Sequence, residues 1–183
     1  MNTKLQYNTL VILIGIISNL TLVSIVVILN IPYLFMDSIG TILTAVILGP
    51  IYGAIVGMFT NLITSLIIDY INLHFAIVNV LIGVIAGIIA RKYYIKNFFN
   101  ALFIGIIIGL VSGIISIPIS IALGNEVPNI AMKEYIQNLI NSGKSLELST
   151  SITVLYDAIF DKVISCLMVF FIVNKIYFFK IYK

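Results

Sequence analysis

From Asn8 to Ile31 the chain runs without a single charged side chain, and it does so again from Phe98 to Leu123. A helix rises about 1.5 Å per residue and the hydrocarbon core of a bilayer is about 30 Å thick, so roughly 20 apolar residues suffice to cross it. Both runs are long enough. The composition points the same way: 61% of the residues are hydrophobic, 9% are charged and the mean hydropathy is +1.19. An ordinary soluble domain has roughly 45–50% apolar and about 25% charged residues. The expectation is an integral membrane protein of class all-α, a polytopic membrane bundle of about six transmembrane helices. No Pro/Ser-rich or charged linker divides the apolar runs, so residues 1–183 read as one domain. The first run is too long for the core of a cleavable signal peptide and reads as a retained helix. Cys166 is the single cysteine, which excludes an internal disulfide framework and a two-cysteine metal motif; its place in a late apolar run fits packing.

Six spans are expected: Asn8–Ile31, Ser38–Leu48, Ile51–Ile68, Phe75–Ala90, Phe98–Leu123 and about Ile152–Phe179, with Pro32 and Asp37 interrupting after the first and Pro118 kinking the fifth. Gly49-Pro50 removes a donor and disfavours a continuous helix, so a turn between two helices is expected there. Between about Gly124 and Ser151 lies the long polar connection. Within it Ile130, Tyr135, Ile136, Leu139 and Ile140 form a rough apolar face, which predicts a short surface helix between Pro128 and Gly143 that acts as a lid or lies on the headgroups.

Lysine and arginine accumulate in cytoplasmic loops. Lys4, then Arg91, Lys92 and Lys96, then Lys175, Lys180 and Lys183 fall at the N-terminus, the fourth-to-fifth loop and the C-terminus, which six spans place on one side. Both termini are therefore expected in the cytoplasm. The acids Asp37, Asp69, Glu126, Glu134, Glu147, Asp157 and Asp161 fall on or toward the other side. Basic loops facing an anionic leaflet account for the net charge of +3, and no nucleic-acid partner is implied.

Charged residues inside a span cost about 2.5–3.5 kcal/mol each on insertion scales, so those retained face a cavity or a partner. In the last helix Asp157 and Asp161 share a face at i,i+4, Lys162 stands about 100° round from Asp161, Tyr156 precedes them and Ser165 follows. One reading is a self-neutralising cluster near the outer interface with Lys162 snorkelling outward. The other is a polar-solute site in a cavity that opens outward, with Asp157, Asp161 and Asn61 orienting the ligand and Tyr156 stacking on a ring. Asn79 lies one to two turns inside the fourth helix, with His74 at its mouth. Asp37 opens the second helix, where capping alone would explain it. One histidine and one cysteine make no metal set, and nothing nearby supplies a nucleophile or oxyanion donors, so neither a cofactor nor catalysis is implied. Gly49, Gly53 and Gly57, Gly83 and Gly87, and Gly105, Gly109 and Gly113 form small-residue packing stripes, within the bundle or against a second membrane subunit.

Phe35-Met36-Asp37-Ser38-Ile39-Gly40-Thr41, with Leu48-Gly49-Pro50, Gly53-Ala54, Gly57 and Asn61, resembles the pattern of the substrate-binding S components of energy-coupling factor (ECF) transporters; the Asp157, Asp161-Lys162 cluster resembles their closing segment. The resemblance implies a six-helix subunit that captures a vitamin or related micronutrient at its outer side. It also implies docking onto a transmembrane coupling subunit and two cytoplasmic ATPases. No Gly-rich Lys-Ser/Thr phosphate loop is present, so ATP use falls to those partners. The alanine stripe that many S components use for docking is absent from the first helix; Gly15, Ser18 and Asn19 stand in its place. Alternatives from other classes are a membrane-embedded ligand sensor working with a separate output partner, since no output domain follows before Lys183, and a small membrane-embedded transferase or hydrolase using Asp157 and Asp161.

Overall fold

The computed structural model describes residues 3–29, 31, 34–92, 97–127 and 130–181; Pro32, Lys96, Pro128 and Lys183 lie outside them. The described residues form helices and no strand: α1 (Thr3–Ile28), α2 (Ile39–Leu48), α3 (Pro50–Ile67), a 3-10 turn (Tyr70–Leu73), α4 (Ala76–Lys92), α5 (Phe98–Ala122), α6 (Ile130–Asn141) and α7 (Leu146–Ile181). α1, α3 and α5 are long and apolar enough to cross a membrane, and α2 and α4 are shorter apolar helices. Their outward faces carry large bare side chains such as Leu13, Ile17, Leu66 and Phe103. Lipid suits that surface, and water does not.

The expected break at Gly49-Pro50 is present. Gly49 takes φ 106, a left-handed value that a side chain disfavours, and Pro50 opens α3, where its missing N–H is no loss. α5 continues through Pro118 to Ala122. α7 begins earlier than the hydropathy pattern implied, at Leu146, because the polar stretch Glu147–Ser151 continues the helix: Ser149, Ser151 and Thr153 return their hydroxyls to carbonyls one turn back. Asp157 and Asp161 thus stand about 16 and 22 Å along the helix from its start.

Two groups of helices result. α1 packs on α2 and α3, and α2, α3 and α4 pack on one another; α5 pairs with α7, and α6 lies on α7. Glycines set the closest approaches. A Cβ on Gly105 would fall 2.6 Å from Val163 Cα, and one on Gly109 would fall 2.5 Å from Ile159 Cα, so α5 and α7 touch backbone to backbone. Gly53 meets Gly83 and Gly57 meets Asn79 in the same way between α3 and α4. All the stripes are thus used inside this chain.

Asn19 fastens α1. It is fully buried, donates to Thr41 Oγ1 and Thr60 Oγ1 at 3.0 Å each, and accepts the Gly40 N–H at 2.6 Å. Ser38 makes no side-chain cap on α2, so a neighbouring helix supplies the acceptor for a first-turn N–H. Gly15 sits where α1 crosses Gly40, with no room for a side chain at either position. Gly15 and Asn19 therefore face the interior and are spent on the bundle's own packing.

The α5–α7 contact supports a quantitative expectation. Gly105→Val or Gly109→Val must push two backbones apart, at about 1–3 kcal/mol each, whereas Phe103→Leu on the exposed face stays within about 0.5 kcal/mol. Thermal unfolding in detergent measures both; glycine variants that melt with the parent chain would contradict the close approach.

Candidate functional site

The two groups of helices meet at a seam, and a cavity of about 90 Å³ lies in it. Phe35 and Asp37 line it from the segment before α2, and Phe75, Val78, Asn79 and Ile82 from α4 and its approach. Across the seam stand Ser112, Ser116 and Ser120 of α5, then Val154, Asp157, Ala158, Asp161 and Lys162 of α7. Val127 and Met132 close the remaining side. Val127, Met132, Ile136 and Val154 form a buried cluster with Ile117 and Ile140 against it. The inward stripe of α6 is Met132, Ile136 and Ile140, one residue in four, and Tyr135 and Leu139 flank it half-buried. Glu126 and Lys133 pair at 2.5 Å on its exposed side.

Lys162 is the hub. Its Nζ reaches Asp37 Oδ1 at 3.3 Å and pairs with Asp161 Oδ2, and the side chain is 8% exposed. It points inward, so the snorkelling reading does not hold: two carboxylates inside the seam outweigh escape to the interface. Asp161 makes the second link. Its Oδ1 accepts the N–H groups of Phe35 at 3.1 Å and Met36 at 2.8 Å. Met36 has φ 57, a left-handed conformation that costs a residue with a Cβ roughly 1–2 kcal/mol. The carboxylate of α7 holds this bend, which places Phe35 and Asp37 against the cavity. Asp37 is therefore an ion-pair partner, and capping does not explain it.

Three buried asparagines extend the network. Asn79 Nδ2 donates to Asn61 Oδ1 at 2.8 Å and to the Asp37 carbonyl at 3.2 Å, and lies 3.5 Å from Asp37 Oδ2. Asn61 Nδ2 in turn donates to the Asn72 carbonyl at 2.9 Å. Asn61 is not among the lining residues; it orients Asn79, which is. Tyr156 also stands elsewhere. It is 53% exposed and stacks on Phe160 with centroids 6.2 Å apart, because one residue's rotation from Asp157 carries it off the cavity face. The structure thus gathers Asp37, Asn79, Asp157, Asp161 and Lys162 at one cavity, with Asn61 behind them and Tyr156 outside.

The serines of α5 escaped the sequence reading. Their i,i+4,i+8 spacing is the signal the sequence carries for them, beside the glycine stripe at 105, 109 and 113. The two stripes are neighbours on one helix: the glycines bring α7 close, and the serines then face the cavity beside it.

Three carboxyl groups surround one ammonium here, and that ammonium is already shared between two of them. One buried oxygen of Asp157 and Oδ1 of Asn79 have no partner among the described residues. Such a site offers acceptors to a ligand's N–H or O–H groups, and repels anions. No group of His, Cys, Asp and Glu among the described residues has the arrangement of a metal site.

An all-helical membrane bundle that keeps a cavity with a charged and amide cluster in its lining at the seam of its halves has the make-up of a solute-binding membrane subunit. The chain belongs to the ECF-type riboflavin transporter S component family, which it matches over residues 4–158. This is a family of vitamin-transporter substrate-binding subunits, not of enzymes, and it bears out the resemblance carried by residues 35–61. The match includes Asp157 and stops short of Asp161 and Lys162. No curated protein and no solved structure gives a match.

Removing the hub isolates buried acids. Lys162→Met leaves Asp37 and Asp161 unneutralised and is expected to lower stability by about 3–5 kcal/mol. Adding Asp37→Asn and Asp161→Asn to it restores much of the loss, because the two acids that Lys162 had paired no longer carry charge and the amide oxygen introduced on α7 can still accept the two N–H groups. Tyr156→Ala stays within about 0.5 kcal/mol. Melting curves of the four proteins decide the matter, and equal losses for the single and triple variants would show that charge is not the issue.

Proposed function

We propose that this chain captures a riboflavin-type vitamin in the seam cavity and hands it to an ECF transporter's coupling subunit, with two cytoplasmic ATPases driving uptake. The observation that carries the reading is the cavity itself: in a chain of this family, five of the polar residues marked out by their unfavourable placement in apolar helices converge on one pocket. Both termini lie in the cytoplasm in this scheme, following the basic residues at the two ends and in the α4–α5 loop. The whole chain acts as one binding domain, with α6 as its outer cover.

Each group has a role. Phe35 and Phe75 supply apolar ring faces for a planar solute. The free oxygens of Asp157 and Asn79 accept hydrogen bonds from its N–H groups, while Lys162 and Asp161 hold Asp37 and the bend at Met36 in place. Asn61 fixes the Asn79 amide. The cavity is smaller than the roughly 300–1,000 Å³ usual for a ligand of this size. Entry therefore requires α6 to lift, which breaks its small apolar cluster and an exposed ion pair. The excess of carboxyl groups favours an uncharged vitamin over its phosphate ester.

The purified chain should bind riboflavin without nucleotide, read by quenching of flavin fluorescence. Asp157→Asn should weaken binding by about tenfold, the scale of one hydrogen bond to a charged group. The phosphate ester should bind at least about tenfold more weakly than the free vitamin. A chain that binds no flavin at any tested concentration, and whose deletion spares riboflavin uptake, would sink the reading.

A further inference from the structure

We propose that the α5 wall of the cavity, Ser112, Ser116 and Ser120, is a second subsite that takes a polyhydroxylated chain of the solute, separate from the acid–amide cluster that takes its nitrogenous head; this rests on the vitamin-binding reading above. Among the described lining residues these three are the ones that carry hydroxyls, and all come from one helix. Spacing of four residues puts them in one row, with successive hydroxyls about 6 Å apart along the axis. The rest of the polar lining is different in kind: Asp157, Asp161 and Lys162 of the adjacent α7, with Asp37 and Asn79 across the seam, supply carboxyl groups, an amide and an ammonium, flanked by Phe35 and Phe75.

Serine in an apolar helix ordinarily returns its hydroxyl to a carbonyl on the preceding turn. Ser112 does so, to the Gly109 carbonyl at 3.1 Å, and Ser149, Ser151 and Thr153 do so on α7. Ser120 does not. It is fully buried, lines the cavity, and its hydroxyl oxygen has no partner among the described residues. Asn79 Oδ1, on a residue 1% exposed, is likewise unpartnered on the facing wall. Two unsatisfied polar groups on opposite sides of one cavity describe a ligand that is polar at both ends, and a row of hydroxyls matches a chain that both donates and accepts at successive carbons.

The α5–α7 glycine contact orders the two subsites in depth. Gly109 packs at Ile159 and Gly113 at Leu155, so Ser112 stands near the level of Asp157 while Ser120 lies a further two turns toward Val127 and the cover. The chain of the solute therefore runs from the acid cluster toward α6, and its far end is the last part to be enclosed.

The test compares riboflavin with lumiflavin, which keeps the ring system and replaces the polyol chain by a methyl group. The full-length protein in detergent is titrated with each by fluorescence quenching. It should prefer riboflavin by at least about tenfold, and Ser116→Ala with Ser120→Ala should reduce riboflavin affinity about tenfold while leaving lumiflavin affinity in place, so that the preference collapses. Each single alanine variant should show part of the effect, which keeps the test open if the double variant melts early. Equal affinity of the parent chain for the two flavins overturns the subsite and leaves the vitamin-binding reading standing; so does a parallel loss for both ligands in the serine variants. Binding of neither flavin overturns both.

Discussion

The carboxylate of Asp161 and the ammonium of Lys162 hold together two parts of the molecule that otherwise share little polar contact. Consecutive in sequence, they reach across the seam to residues 35–37, one by accepting two backbone N–H groups and the other by pairing with Asp37. The arrangement of residues 35–37 against the cavity follows from this grip. The bend at Met36 is held open by it, Phe35 and Asp37 are aimed by it, and the Asp37 carbonyl becomes the anchor for Asn79 and, through it, Asn61. Taken pair by pair such buried ions are a weak source of stability, because desolvation offsets their attraction. Their value here is geometric: one arrangement satisfies them, and it is the arrangement that leaves a hollow beside them.

Apolar association is feeble where the solvent is itself hydrocarbon, so the helices are joined by other means. Glycines let α5 lie against α7 and α3 against α4 at backbone distance, which multiplies dispersion contacts. Asparagines then bridge wherever three elements meet. Asn19 ties α1 to α2 and α3, and Asn61 ties α3 to the 3-10 turn and to α4. An apolar core built from Ile42, Ile82, Ile108, Cys166 and Val169 fills the bundle beside the cavity.

Much of this was legible in the sequence because membrane helices obey strong rules. Uninterrupted apolar length located α1 and α5, and Gly49-Pro50 separated α2 from α3 to within one residue. Misplaced charge picked out Asp157, Asp161 and Lys162, for hydrocarbon penalises any such residue without a partner. What stayed hidden has physical reasons. Spacing shows which residues share a face but not which face looks inward, so Tyr156 was grouped with its neighbour Asp157 although the two point apart. The direction of Lys162 depended on Asp37, far away in sequence. Serines are common enough as helix-to-helix hydrogen-bonders that Ser112, Ser116 and Ser120 carried no surprise until the cavity was seen beside them.

The grip between α7 and the segment before α2 also has a meaning in time. Met36 and Asp161 are 125 positions apart, as are Asp37 and Lys162. At about 5–20 residues per second, Asp37 therefore waits on the order of ten seconds in the growing chain before its counter-ion has been made. During that interval the first four helices can insert and pack through Asn19, Asn61 and the glycines, yet the binding hollow does not exist. The hollow is assembled last, by the closing helix, and a chain that stops short of α7 keeps an acid in its second helical segment whose counter-ion has not been made.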